Sequence, residues 1–287
     1  MYITLGEQET IIGQYTQHLI EEEKTPNTIE KYRRDVRKFL SYCKEQVVNK
    51  QLVLSYKEHL LTQYKTTSVN SMLVAMNHFL HWYGHIELQV RTVKIQRELF
   101  ENPQKELTKE EYERLVHCAE KKGDIRLALI VQSICATGIR VSELPYITVE
   151  ALATRRSEVR CKGKKRIIFL PKELCRKLVQ YCKGHQIKSG AVFVTKKGKV
   201  LDRSNIWKMM KALCEVAQVA SSKVFPHNLR HLFARTYYEV NKDLGKLADL
   251  LGHTSIETTR IYTMESGENH DKQLEKMGLI VENTATT

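Results

Sequence analysis

Apolar residues recur at intervals of three and four through most of residues 9–83, and this helical periodicity is lost after residue 91. Four such stretches, separated by short polar breaks, predict a small bundle of α-helices. The stretches cover residues 9–23, 28–40, 51–64 and 67–83. A bundle of short helices is a common module and indicates no function by itself.

A second domain is predicted to begin at residue 108. Residues 96–107 lack clear periodicity and are interpreted as a linker. Thr108 and Glu111 follow at the spacing of a capping box, the pattern that starts many helices. The predicted domains are therefore a helical domain at 1–95, the linker at 96–107, a second domain at 108–270 and a tail at 271–287.

The second domain has a mixed pattern. Two strand-like runs at 158–161 and 166–170 flank the basic residues 162–165 and predict a β-hairpin. A further short strand is expected at 191–195. Helical patterns resume near Asp202, after Pro226 and from Asp243 to Leu251. The predicted fold class is mainly α with a small β-sheet, in which an all-helical domain precedes a mixed α/β domain.

Positive charge is concentrated in one block of fifty residues. The whole chain carries a net charge of +13, and residues 151–200 hold 15 Lys and Arg against 2 Asp and Glu. A concentrated basic surface attracts a polyanion, usually nucleic acid, although a solvated surface has the same composition. The side chains predicted to contact DNA are Arg155, Arg156, Lys164, Lys165, Lys196, Lys197 and Lys199.

Several other classes of protein and site do not fit the sequence. No apolar run approaches the roughly 18 residues that span a bilayer, and the first residues show no secretory pattern. A cytoplasmic protein with no membrane partner is therefore expected. None of the seven cysteines pairs with another at C-x-x-C spacing, and no Asp/Glu cluster or nucleotide-binding glycine loop is found. We therefore expect no metal and no cofactor.

Two segments carry residues suited to phosphate chemistry. One is ATGIRVSEL at 136–144, and the other runs from HNLRH to TTRIY at 227–262. Arg140 and Arg230 lie in these segments, and their planar guanidinium groups suit two-point contact with phosphate oxygens. Taken alone, Arg140 and Glu143 could equally be an ordinary helical ion pair.

The second segment adds a nucleophile and proton-transfer groups. Tyr262 has a phenol oxygen that can attack phosphorus, and His227 and His253 can transfer protons or donate hydrogen bonds. A lone histidine or tyrosine is more often structural than catalytic. The joint order and spacing of these residues favours a functional interpretation.

That order resembles the tyrosine recombinase, or phage integrase, family. ATGIRVSEL is similar to its first arginine motif, HNLRH to its H-x-x-R motif and LLGHTSIETTRIYT to its His-to-Tyr motif. RCKGKKRIIFLP resembles the hairpin that carries the family's lysine. The resemblance covers nearly all of the second domain and extends weakly to residues 9–83, which are similar to the family's SAM-like core-binding domain. We expect no further domain before residue 9, so the chain resembles the short Xer-type members.

The resemblance implies how the chain would hold and attack DNA. Arg140 and Arg230 would bind the scissile phosphate, and His253 would hydrogen-bond one of its oxygens. Tyr262 would attack phosphorus and keep the 3′ end as a phosphotyrosine. Because that bond conserves the energy of the phosphodiester, religation would need no ATP.

The resemblance also implies three supporting roles. Lys162, in the hairpin, would protonate the departing 5′ oxygen. His227 would assist proton transfer at the tyrosine, and Glu143 would orient its partners.

The implied function is site-specific recombination through a tetrameric Holliday-junction pathway. The implied partner is double-stranded DNA with a specific site, bound by a homotetramer or by a heterotetramer with a second recombinase. The tail at 271–287 would dock on a neighbouring subunit. Two alternatives remain open: a catalytically silent recombinase-like DNA-binding factor, and a type IB topoisomerase with similar chemistry. The sequence does not specify the DNA target.

Overall fold

The computed structural model divides the chain into two compact units, Met1–Arg97 and Glu98–Thr287. It describes residues 5–44, 46–95, 105–161, 164–195, 197–253, 255–262 and 275–277. Within these ranges, no helix is both long enough and apolar enough to cross a membrane.

The first unit is the predicted helical bundle. Its elements are α1 (Leu5–Glu21), α2 (Pro26–Cys43), α3 (Lys50–Gln63) and α4 (Thr66–Trp82), followed by a 3₁₀ turn at Ile86–Leu88. Helix α4 packs against α2 and α3, and α1 packs against α2. Tyr15, Phe39 and Phe79 are fully buried between the helices. The four predicted helices are confirmed. Their apolar faces pack together into a single core.

The second unit is also mostly helical. Its first helices are α5 (Lys109–Lys121), α6 (Ile125–Thr137) and α7 (Val149–Thr154), with a 3₁₀ turn at Val141–Tyr146. The hairpin strands are β1 (Arg156–Cys161) and β2 (Lys164–Phe169). The later helices are α8 (Lys172–Gly184), α9 (Arg203–Lys211), α10 (Pro226–Asn241), α11 (Leu244–Leu251) and α12 (Glu257–Arg260), with a 3₁₀ turn at Ser221–Lys223.

Helix α5 begins at the predicted capping box. The Thr108 hydroxyl accepts a hydrogen bond from the Glu111 backbone N–H, and the Glu111 carboxylate accepts one from the Thr108 N–H. These two bonds satisfy backbone donors that have no partner inside the helix.

Helix α6 lies at the centre of the second unit. It contacts α5, α8, α9 and α10. Its residues 127–131 are all buried, as is Ile134. A helix that is apolar on all sides must be surrounded, so α6 can serve as the fixed element against which the others pack.

The sheet consists of the predicted hairpin alone within the described residues. Strands β1 and β2 pair antiparallel, with Arg156 opposite Phe169 and Cys161 opposite Lys164. The strand expected at 191–195 is wrong: this segment makes only isolated bridges, from Ala191 to Thr148 and from Val194 to Val200. The fold class, mainly α with a small β-sheet, is confirmed.

Some predictions fall outside the described residues. These are the linker residues 96–104, Lys162 with Gly163, the side chain of Lys164, Lys196, and most of the tail at 271–287. The bounds of the linker and the docking of the tail therefore stay predictions.

Candidate active site

A left-handed turn at the end of α6 brings the first arginine motif to the site. Gly138 has a φ of +63°, and a Cβ added there would lie 2.3 Å from Cδ1 of Phe233 on α10. Only glycine combines this backbone conformation with so close an approach of the two elements. The chain then leaves α6 and places Arg140 directly before the 3₁₀ turn at 141–146.

Gly138→Ala is expected to lower the free energy of unfolding by about 2 kcal/mol or more, because a left-handed non-glycine residue and a clash with Phe233 both cost energy. Urea unfolding followed by circular dichroism measures the change. Gly184→Ala is the matched control, since no atom lies within 4 Å of a Cβ added at that position. Equal stability of the two variants would contradict this account of the turn.

Arg140 is held by a buried carboxylate. Glu143 accepts a hydrogen bond from the Arg140 backbone N–H at 2.7 Å and one from its guanidinium at 3.1 Å. The same carboxylate accepts a hydrogen bond from Arg166 on β2. Glu143 is only 4% exposed, whereas the Arg140 side chain is 45% exposed. The carboxylate therefore orients Arg140 and leaves part of its guanidinium accessible.

Arg166 also reaches the end of α11. Its guanidinium donates a hydrogen bond to the Leu250 carbonyl oxygen. Gly252, with a φ of +63°, lies so close that an added Cβ would be 2.6 Å from Cδ of Arg166. Arg166 thus joins the hairpin, the Arg140 turn and the segment that leads to His253.

Arg230 is the most deeply buried charged group of the site. It is 2% exposed and donates hydrogen bonds to the carbonyl oxygens of Gly138 at 2.6 Å and Leu251 at 2.7 Å. Burial and the nearby charge of Arg140 lower the pKa of Arg230 to about 10, while Tyr262 favours its charged form. No carboxylate among the described residues pairs with Arg230, so the site holds uncompensated positive charge.

His253 lies between Arg230 and α12. Its Nε2 is 3.0 Å from a guanidinium nitrogen of Arg230, and its Nδ1 is 2.9 Å from the Thr259 hydroxyl. Because arginine can only donate, Nε2 must accept that hydrogen bond. The neutral imidazole therefore carries its proton on Nδ1 and donates it to Thr259.

Tyr262 is packed within its own chain's site. It is 4% exposed and belongs to a small apolar cluster with Ala234, Leu247 and Leu251. Its ring lies 5.9 Å from that of His253, nearly parallel, and 4.7 Å from that of His231, edge to face. The phenol is therefore held among imidazoles and beside Arg230.

His227 occupies the first turn of α10, one turn before His231. The two imidazole rings are 4.5 Å apart, edge to face. Burial lowers the pKa of His227 to about 4, helped by His231 and Arg230. Burial, Arg230 and Arg140 lower the pKa of His253 to about 4 as well. Both imidazoles are neutral at pH 7 in the absence of an anion, since bringing another cation into this group is unfavourable.

The predicted DNA-contacting side chains that the structure describes are at the surface. Those of Arg155, Arg156, Lys165, Lys197 and Lys199 are all exposed. Arg156 lies over the Phe169 ring, 5.7 Å from its centre, and Lys165 pairs with Glu158 at 3.5 Å. Neither contact removes the charge of Arg156 or Lys165 from solvent.

The structure brings together Arg140, Glu143, His227, Arg230, His253 and Tyr262. It also adds three groups that are not predicted from the sequence: Arg166, His231 and Thr259. His231 stands inside HNLRH, and Arg166 inside the hairpin motif, but neither motif shows what these side chains contact.

Two family models match the chain. Residues 105–268 match the phage integrase family, and residues 12–85 match its N-terminal SAM-like domain. Described residues of the first match include Arg140, Glu143, His227, Arg230 and Tyr262.

Curated and solved proteins agree with these matches. The tyrosine recombinase XerA of Thermococcus kodakarensis is 29% identical over 288 residues, covering 96% of this chain and 98% of that protein. A crystal structure of XerA recombinase matches with a TM-score of 0.53 at 26% identity, over 96% of this chain and 100% of the other. A lambda integrase tetramer bound to a Holliday junction has the same fold, with a TM-score of 0.71 at 17% identity, over 91% and 77%.

The family models, the curated relative and the solved structure all match both units of the chain to the same family. The chain therefore belongs to the phage integrase family and is a tyrosine recombinase, an enzyme of site-specific DNA recombination that resembles the Xer proteins.

Proposed function

We propose that this recombinase cuts DNA by attack of Tyr262 on a phosphate held by Arg140 and Arg230, and rejoins it from a 3′-phosphotyrosine. The observation that carries the proposal is the packing of Tyr262 against His253, 5.9 Å away, whose Nε2 is in turn 3.0 Å from Arg230. A nucleophile, a buried cation and neutral imidazoles therefore share one small site in a single chain.

The site's charge favours a phosphate. Arg230 is buried, and no described carboxylate neutralises it. An incoming phosphate would restore the balance of charge and take hydrogen bonds from Arg230 and the exposed part of Arg140. The same groups would stabilise the charge that grows on the phosphoryl oxygens in the transition state.

Neutral histidines suit the proton transfers. At pH 7 the lowered pKa of His227 keeps its imidazole neutral, and a bound phosphate that offsets Arg230 and Arg140 would make this imidazole a better acceptor for the proton of Tyr262. We assign protonation of the 5′ oxygen to Lys162 from the family resemblance, and this residue lies outside the described residues.

The proposed partner is duplex DNA with a specific site, recombined in the cytoplasm by a tetramer of this chain or of this chain with a second recombinase. The lambda integrase tetramer on a Holliday junction supports this pathway by its common fold. The tail at 271–287 is proposed to dock on a neighbouring subunit.

The proposed chemistry is tested by trapping the covalent complex. The substrate is a nicked duplex that carries the sequence protected by the protein in a footprint of the DNA flanking its gene. We expect a denaturant-stable protein–DNA complex whose nucleotide is attached to the peptide that contains Tyr262, with a free 5′ hydroxyl on the other fragment. Absence of this complex would favour a catalytically silent binding factor, and relaxation of plasmids without the site would favour a topoisomerase.

Cleavage is expected to continue unchanged in excess EDTA. The proposed charge stabilisers are guanidinium groups, and among the described residues no group of three His, Cys, Asp or Glu side chains could hold a metal ion. Covalent-complex formation is measured with EDTA and with Mg²⁺ after dialysis against chelator. A rate that falls to background in EDTA and returns with Mg²⁺ would contradict the mechanism.

DNA binding is expected to weaken steeply with salt, and exposed basic residues of the 151–200 block should contribute to the slope. Each phosphate contact on duplex DNA adds about 0.9 to the slope of log affinity against log salt. Changing Arg155, Arg156, Lys197 and Lys199 to Gln should therefore reduce the slope by about 1 to 4.

The control variant changes four basic residues elsewhere in the same unit, Lys121, Lys122, Lys242 and Lys246, all exposed. Its slope should stay close to that of the wild type in the same fluorescence anisotropy titrations. Equal slopes for all three proteins would show that the basic block is only a solvated surface.

A further inference from the structure

We infer that Thr259 is a positioning residue for His253. Its buried hydroxyl holds the imidazole beside Tyr262 and can form a hydrogen bond with Nδ1 both before and after phosphate binds. The inference rests on the proposed function, because it concerns the same site. Thr259 lies on the short helix α12, and its side chain is completely buried.

Thr259 connects the two groups through two different atoms. Its hydroxyl is 2.9 Å from Nδ1 of His253, and its backbone carbonyl accepts a hydrogen bond from the Tyr262 N–H at 3.0 Å. The imidazole and the nucleophile are thereby tied to the same residue. Their rings lie nearly parallel, 5.9 Å apart.

Nδ1 of His253 needs a hydrogen-bond partner in the site before phosphate binds, and the Thr259 hydroxyl is that partner. In the structure, Nε2 of His253 accepts a hydrogen bond from Arg230, so the proton is on Nδ1 and the Thr259 oxygen accepts it. To donate to a phosphate oxygen, Nε2 must instead carry a proton, and Arg230 must turn towards the phosphate.

Nε2 of His253 can gain a proton in two ways, by protonation of the ring or by a change of tautomer, and a hydroxyl at Thr259 can pair with Nδ1 in both cases. If His253 becomes an imidazolium, Nδ1 still donates and the Thr259 oxygen still accepts. If the neutral ring changes tautomer, Nδ1 becomes an acceptor and the hydroxyl can rotate to donate. A valine of the same shape can do neither, and it would leave a buried ring nitrogen without a partner.

The chain offers substitutions that separate hydrogen bonding from packing. Thr259→Val keeps the shape and removes the hydroxyl, whereas Thr259→Ser keeps the hydroxyl and removes a methyl group. Thr258→Val is the matched control, since Thr258 is the neighbouring threonine and is exposed. If Thr259 acts by packing, the Ser variant should cleave more slowly than the Val variant. If it acts by hydrogen bonding, the Val variant should be the slower one.

The first measurement is the single-turnover rate of covalent-complex formation on the nicked footprint duplex. We expect Thr259→Val to be slower than the wild type by about 10-fold, the equivalent of one buried hydrogen bond. Thr259→Ser should stay within about 3-fold and Thr258→Val within about 2-fold of the wild type. A Val variant as fast as the wild type, or a Ser variant as slow as the Val variant, would overturn the inference.

The second measurement does not depend on cleavage or on any change at Thr259. Two-bond ¹⁵N–¹H correlation spectra of histidine-labelled wild-type protein at pH 7 report which ring nitrogen of His253 carries the proton, assigned with His253→Asn. We expect the Nδ1–H form without anion and proton density on Nε2 after addition of orthovanadate as a phosphate analogue. An Nε2–H form in the free protein would contradict the inference even if Tyr262-dependent cleavage is found. Lack of any covalent complex in the wild type would instead contradict the proposed function.

Discussion

Tyr262→Phe is expected to abolish the covalent protein–DNA complex, with no detectable product above background. Phenylalanine lacks the phenol oxygen that is proposed to attack phosphorus, so the proposed 3′-phosphotyrosine cannot form at this position. The ring should still pack in the apolar cluster with Leu247 and Leu251, since the tyrosine is only 4% exposed there. DNA affinity should therefore stay within about 2-fold of the wild type.

Tyr238→Phe is the matched control, because Tyr238 packs against the same small cluster. Its covalent complex should form at the wild-type rate on the nicked footprint duplex. A covalent complex that persists in Tyr262→Phe would show that another side chain is the nucleophile.

Arg230→Lys is expected to lower the single-turnover cleavage rate by about 10²- to 10³-fold. The guanidinium binds two carbonyl oxygens and His253 at once, and an ammonium group cannot match this planar set of donors. The phosphate would therefore lose a rigidly placed cation in the transition state.

The control substitution is Arg176→Lys on α8, an exposed arginine paired with Glu173. It should cleave as the wild type does. Because Arg230 is buried, Tm and half-site binding are measured for both variants to show that each is folded. A second readout is the rise in wild-type Tm with added orthovanadate, which Arg230→Lys should lack. A folded Arg230→Lys protein that cleaves at the wild-type rate would remove Arg230 from the mechanism.

Local patterns were enough to find most helices. The four helices of the first unit and the start of α5 depend on apolar spacing and capping within a few residues, and the structure confirms them. Residues 172–184, for which no element is predicted from the sequence, form α8. This helix buries Leu174, Leu178 and Tyr181 at helical spacing, so the signal was present beside the basic residues of its outer face.

Whether a segment pairs in a sheet depends on a partner strand elsewhere in the chain, which the residues of the segment do not show. Residues 191–195 have strand-forming side chains, but no strand among the described residues is placed to pair with them, and only isolated bridges form. Strand propensity mainly measures how well a segment fits against others, so it fails where the partner is absent. The hairpin β1–β2 was predictable because both partners lie next to each other in the chain.

The sequence by itself was enough to name five chemical groups of the candidate site: the guanidinium groups of Arg140 and Arg230, the imidazoles of His227 and His253 and the phenol of Tyr262. Only the tertiary structure decided how they meet. Arg230 binds the carbonyl of Gly138, 92 positions away, because α10 packs against the end of α6. Arg166 and Thr259 join the site for the same reason, since contacts between segments depend on the packing of whole elements and leave no spacing pattern in the chain.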